Sequence, residues 1–178
     1  MPAYDLVSRP FQNWSGMVQS GARRIKRAIN IDVGTIKFLD EEMLKRLSKI
    51  ELLADYLPRK TKEIEEFNKQ HKIQESALNG RHLTNLGTFR QYAVEYLKHL
   101  STVDTRQTCM VRQLDPSPTG LPLEIYCFAA TTDWQMYEGI QSDIFDHLYA
   151  VMPEFGLYPF QQPAGRNVSE AGLRLSTK

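Results

Sequence analysis

Apolar residues recur along this chain in two rhythms, and each change of rhythm marks a new element. From Arg23 to Val33, Ile25, Ile29, Ile31 and Val33 alternate with polar neighbours, which predicts a strand. From Asp40 the spacing becomes helical. Asp40 is a good N-cap, Glu41 and Glu42 sit where the helix dipole favours negative charge, and Met43, Leu44, Leu47, Ile50 and Leu57 form one stripe. A helix from Asp40 to Leu57 is expected. Pro58 fits the first turn of a second helix, running to about Lys72 with only Ile64 and Phe67 to bury. The two read as a helical hairpin standing off the main body, its second arm mostly wet.

Gln74 to Asn85 is polar, with Asn79-Gly80 as a turn signal. A third helix is expected from about Thr88 to Leu100, carrying Phe89, Tyr92, Ala93, Tyr96, Leu97 and Leu100 on one side. Strands Gln107 to Leu114 and Leu121 to Ala130 follow, separated by a Pro- and Gly-containing turn. In the second strand Leu123, Ile125, Cys127 and Ala129 share one face, and Glu124, Tyr126 and Phe128 share the other. That predicts a sheet with one core face and one partly covered face.

The last helix reads from a capping box, Thr132 with Gln135, into Trp134, Tyr137, Ile140, Ile144, Leu148 and Val151. Trp134 and Tyr137 are expected in the core rather than as a ligand box. Gly139 inside this helix points to close backbone approach to the sheet, and Pro153 and Gly156 end it. Leu157 to Phe160 supplies one more short edge strand. The first residues, with Tyr4, Leu6 and Val7 extended and Asn13 to Gly16 as a turn, resemble the end of an earlier unit. Ala164 to Lys178 is a polar tail expected to be disordered. The order is α+β: a β-α-β-β-α-β, ferredoxin-like series with a helical hairpin inserted after the first strand.

Composition adds bounds. The 178 residues are 42% hydrophobic and 24% charged, with a formal net charge of +1. These are the proportions of a soluble globular domain without global attraction to nucleic acid or anionic lipid. No apolar run approaches the roughly 20 residues that span a bilayer, and no signal-peptide pattern opens the chain. A soluble, cytoplasmic domain is the expectation. Cys109 and Cys127 flank the 115–122 turn at matching distances and are expected as two small core thiols.

The residue pattern gives no catalytic constellation. Glycine-rich phosphate loops are missing, and no serine sits in a nucleophile elbow. His71, His82, His99 and His147 lack metal-ligand spacing, apart from Asp143 and His147 at i and i+4, an ordinary helix-surface ion pair. The pairs Glu41/Glu42 and Glu65/Glu66 lie on solvated helix faces. Arg23, Arg24, Lys26 and Arg27 make a basic strand end, read as solvated or partner-facing, because the stacking aromatics of single-strand binders are not interleaved there. No catalytic, cofactor-binding or metal residue is designated, no cofactor is expected, and the chain reads as not an enzyme.

Long strings in fixed order carry a resemblance. GLPLEIYCF (Gly120 to Phe128), YEGIQSDIFDHL (Tyr137 to Leu148) and PEFGLYPFQQP (Pro153 to Pro163) resemble the cytoplasmic end of the small-conductance mechanosensitive channels, closest to the miniconductance branch. FQNW (Phe11 to Trp14), GARRIKRAINID (Gly21 to Asp32), FLDEE (Phe38 to Glu42), RHLTNLGTFRQY (Arg81 to Tyr92) and MVRQL (Met110 to Leu114) fit it too. The resemblance covers roughly residues 2 to 163. It implies a heptamer on the cytoplasmic side of the bacterial inner membrane, where a vestibule filters solutes and tension opens a pore under hypo-osmotic stress. On that plan residues 1–22 are a β-domain remnant, 23–163 the α/β domain with its insertion at about 35–85, and 164–178 a tail. The transmembrane pore helices precede this part, so no pore or gate residue carries over. The implied partners are other subunits and that pore domain, with no nucleic acid. Two other readings stand beside it: a ferredoxin-like regulatory module holding a small ligand between subunits, and nucleic-acid binding through Arg23 to Arg27.

Overall fold

In the computed structural model of this chain, which describes residues 21–73 and 79–162, β1 (Arg23–Ile31) and β3 (Leu121–Ala129) pair antiparallel over their whole length. The register runs from Arg23 opposite Ala129 to Ile31 opposite Leu121. β2 (Met110–Gln113) pairs antiparallel with the other edge of β3, giving the spatial order β1-β3-β2. Side chains alternate across a strand, so Ile25, Ile29 and Ile31 enter the same face as Leu123, Ile125, Cys127 and Ala129. All are fully buried. Two helices supply the other side of this core. α3 (Asn85–His99) contributes Phe89, Ala93 and Leu97, and α4 (Trp134–Val151) contributes Ile144, Phe145 and Leu148. A 3-10 turn, Met152–Phe155, adds Met152 and Phe155 before Gly156 turns the chain at φ +64°.

Beyond Gly156 the chain returns to the free edge of β1. The Asp32 N–H donates to the Tyr158 carbonyl at 2.9 Å, and the Phe160 N–H donates to the Asn30 carbonyl at 2.8 Å. The expected edge strand is therefore one bridge, Ile31 to Pro159, and not a ladder. β1 also stops short of Val33. The Asp32 side chain accepts from the Gly34 N–H and caps a 3-10 turn, leaving Val33 54% exposed.

Between β1 and α3 the chain makes a helical excursion whose two ends meet. The Leu39 N–H donates to the Leu83 carbonyl, and Asn85, fully buried, donates from its side chain to the Thr35 carbonyl and accepts from the Lys37 N–H, both at 2.9 Å. Asp40 caps α1 (Glu41–Leu47) as expected, accepting from the Met43 N–H at 2.8 Å. The single helix to Leu57 does not form. Ser48 Oγ bonds the Lys45 carbonyl, the Lys49 and Ile50 N–H groups tighten onto Arg46 and Leu47, and a 3-10 turn (Glu51–Leu53) precedes α2 (Tyr56–Gln70). A straight helix would set Leu53 about 80° around the axis from Met43. The bend lets Met43, Leu47, Leu53 and Leu57 all reach the core.

The hairpin accordingly does not stand off. Arg46 Nη2 donates to the Glu154 carbonyl at 2.7 Å, joining α1 to the turn after α4. Its second arm is mostly wet, as expected, but of Ile64 and Phe67 only Ile64 is buried. Phe67 is half-buried, and Leu57 joins this arm as its other buried residue.

Other boundaries shift for local reasons. α3 begins at Asn85 because Thr84 Oγ1 accepts from the Gly87 N–H at 3.0 Å. β2 starts only at Met110, since Asp104 and Gln107 first close a turn. α4 is capped by Asp133, not Thr132: its carboxylate accepts from the Met136 N–H at 2.8 Å, while Thr131 Oγ1 accepts from the Asp133 N–H. An ionised oxygen at the N-cap also gains from the helix dipole.

Gly139 does not mark a close approach, because a Cβ there would meet nothing within 4 Å. Gly139→Ala is therefore expected to stabilise the fold by about 1 kcal/mol through helix propensity alone, read as a higher urea midpoint at unchanged slope. The expectations for residues 1–20, 74–78 and 163–178, including most of the β-domain remnant and the tail, fall outside the described residues.

Candidate functional site

The face of the sheet opposite the core carries the most polar and aromatic chemistry. It presents Arg24, Lys26 and Ala28 from β1, Glu124, Tyr126 and Phe128 from β3, and Met110 and Arg112 from β2. Glu124 sits at the centre, only 4% exposed. Arg112, directly opposite in register, donates from Nε at 2.8 Å and Nη2 at 2.7 Å to Oε1, and Lys26 Nζ lies 4.0 Å from Oε2. Tyr126 and Phe128 meet edge to face at 5.8 Å, both half-buried, and the Arg24 guanidinium lies 6.0 Å from the Tyr126 ring centre.

Breaking a buried ion pair typically costs about 3–5 kcal/mol because the remaining charge is stranded. Arg112 and Lys26 are half exposed here, which softens that penalty. Arg112→Met is expected to cost about 2 kcal/mol in urea unfolding, and adding Glu124→Gln should recover roughly half of it. An unchanged stability for Arg112→Met would show that water already solvates Glu124.

On the other, helix-covered face, the arginines at the margin of β1 rest on rings of α4 rather than on carboxylates. The Arg23 guanidinium lies 4.4 Å from the Trp134 ring centre and 4.4 Å from that of Tyr137, while Arg27 covers Phe145 at 4.6 Å. The Tyr137 hydroxyl donates to the Arg24 carbonyl at 3.1 Å. Burial raises the Tyr137 phenol above its ordinary value, with nearby Arg23 opposing. This corrects two expectations. Trp134 is 60% exposed and not core, with the Arg23 guanidinium against its ring, whereas Tyr137 is half-buried and packs against the core. The basic strand end also does have aromatics beside it, brought from β3 and α4 by the register and by helix docking. The alternation of Glu124, Tyr126 and Phe128 was visible in the sequence, but their pairing with β1 was not.

The Asp143–His147 surface pair does not form either. His147 turns toward α3, its Nε2 2.8 Å from the Tyr92 hydroxyl and its ring stacked on Tyr96 at 3.9 Å. Burial holds its imidazole below the ordinary value. With His147 inward, the outer arc of α4 carries Asp143 and Asp146, with Glu138 at its margin and no lysine or arginine anywhere on the helix. None of the three is in an ion pair among the described residues.

Both thiols are free. Cys127 is fully buried, and desolvation pushes its pKa up to about 12, so it is a core group and not a nucleophile. Cys109 is half-buried, one residue before β2, where the β2–β3 register extends to face Cys127. The excursion contains an open groove of about 580 Å³ lined by Leu44, Leu53, Leu57 and Pro58, with Lys62 and Glu65 at its rim.

Among the described residues no group of three or more His, Cys, Asp or Glu is arranged to hold a metal ion. No described helix is long and apolar enough to cross a membrane. A comparison with protein-family models finds no match to this chain.

Proposed function

We propose that this chain is the cytoplasmic vestibule domain of a miniconductance-type mechanosensitive channel, ferredoxin-like in topology, serving subunit assembly and the shape of the vestibule below a tension-gated pore. One observation carries the reading. The three strings with the strongest resemblance fall on the central strand β3, on α4 that covers it, and on the segment that returns to the outer edge of β1. They form one packed unit and are not scattered. Omitting the excursion between Asp32 and Asn85 leaves β1, α3, β2, β3, α4 and that returning segment, the series a split β-α-β-β-α-β plan requires. On this reading the domain does no chemistry, lies on the cytoplasmic side of the inner membrane, and has other copies of itself and the preceding pore segment as partners.

The test is electrical. Membrane patches from cells expressing the gene with its uninterrupted upstream reading frame should show a small tension-activated current, lost or strongly reduced when residues 21–162 are deleted. A silent patch at lytic tension overturns the channel reading, and a deletion that assembles and gates like the parent overturns the assembly role.

The groove beside Leu44 and Leu57 favours a second reading, a regulatory module for a small ligand, since its volume lies within the range of ligand pockets. Thermal-shift measurements against osmolytes, amino acids and nucleotides test it, and a uniformly flat response removes it.

A further inference from the structure

We infer that the open face of the sheet in one copy of the chain docks on the outer arc of α4 in the next copy. The argument begins with charge. The open face carries Arg24, Lys26 and Arg112 against a single carboxylate, Glu124, which is buried and already held by two of those cations. On the outer arc of α4, Asp143 and Asp146 are exposed and in no ion pair among the described residues, and the helix has no lysine or arginine of its own. Glu138 lies at the margin of that arc, beside the Arg23 that covers Trp134 and Tyr137. The whole chain is nearly neutral at +1, so this separation of signs is a property of the two surfaces.

Each surface also offers apolar side chains beside its charges. Tyr126, Phe128 and Met110 stand half-buried on the sheet, and Met136 (60% exposed) and Tyr149 (39% exposed) stand on the helix. Aromatic and methionine contacts within a polar rim are the usual anatomy of an interface. The two surfaces lie on opposite sides of the domain: one is the sheet face away from the helices, the other the α4 arc away from the sheet. They cannot neutralise one another within a chain. Sheet face against sheet face, or helix against helix, would bring like charges together. The complementary arrangement is head to tail, the kind of contact that closes a ring when the rotation permits. The inference deepens the proposed function and rests on that reading for the closed ring.

Arg24, Asp143 and Asp146 are exposed and in no ion pair among the described residues, so they can be reversed with little risk to the fold. Sedimentation velocity on the intact chain, from micromolar to about 1 mM at low and high salt, reads the association. The expected result is self-association that weakens as salt rises. Arg24→Glu alone, and Asp143→Lys with Asp146→Lys, should each weaken it about tenfold or more. All three changes in one chain should restore it to within about threefold of the parent.

A chain that stays monomeric at about 1 mM and low salt overturns the inference. So do reversals without effect, or a triple variant that shows no recovery. Oligouridylate binding that depends on Arg24, on a chain that never self-associates, would assign the basic face to nucleic acid instead. Failure here is separable from failure of the channel reading. A tension-gated current can persist when the charges prove irrelevant, and charge-dependent association can persist where no current is found.

Discussion

Phe155→Ala is expected to cost about 4 kcal/mol in unfolding free energy. Phe155 is fully buried on the 3-10 turn after α4, and its ring meets Phe89 edge-on at 5.3 Å and Tyr92 at 5.3 Å. Those partners belong to α3, so this one side chain joins the ends of both core helices. Removing it deletes the transfer free energy of a large ring, the aromatic pair contacts, and the support of a wall built from rigid rings that relax poorly into a cavity. Urea denaturation measures the loss, and Phe155→Leu should retain more than half of the stability. A loss below about 1.5 kcal/mol for the alanine variant would mean that the turn collapses onto the gap and that the junction is softer than its burial implies.

Gly120→Ala should cost about 3 kcal/mol or more, by a different mechanism. Gly120 holds φ at +97°, and a Cβ there would collide with the Ile31 backbone carbonyl and sit 3.1 Å from Phe160 Cβ. The glycine lies where the 115–120 turn, the end of β1 and the returning segment converge, and a backbone carbonyl cannot swing aside as a side chain can. Strain and collision should first release residues 157–160. Amide hydrogen exchange at Asp32 and Phe160, whose N–H groups hold that segment, should accelerate together with the fall in stability. Gly21→Ala is the control: its φ is +63°, but nothing lies within 4 Å of the added carbon, so only the backbone strain is felt.

What the sequence made legible, and what it hid, follows from the range of each interaction. The strands and α3 were readable because Ile25, Ile29 and Ile31, or Phe89, Ala93 and Leu97, repeat with one period against one core. The break after Leu47 was hidden because the stripe through Met43, Leu47, Ile50 and Leu57 fits a single helix. Only burial of Leu53 from a second direction makes the bend preferable. Trp134 has the same spacing as core residues, yet nothing local reveals that its neighbour there is the Arg23 guanidinium and not the apolar face of the sheet, while Tyr137 does pack against the core. Gly139 misled for a related reason, since a glycine can mark a close approach or merely tolerate open space. In the candidate site, the basic run of β1 was plain in the sequence, but its juxtaposition with Tyr126 depends on a register between strands about a hundred residues apart.

The returning segment has a consequence for life among neighbours. Its Tyr158 carbonyl and Phe160 N–H both point at β1, which turns Pro159 outward, where it has no N–H to offer. The opposite border is β2, only four residues long. Neither margin gives a foreign strand much to pair with, and long unprotected margins are where sheets grow into aggregates. A domain crowded at high local concentration against identical copies can therefore pack without fusing into a continuous sheet, which keeps any assembly it forms reversible.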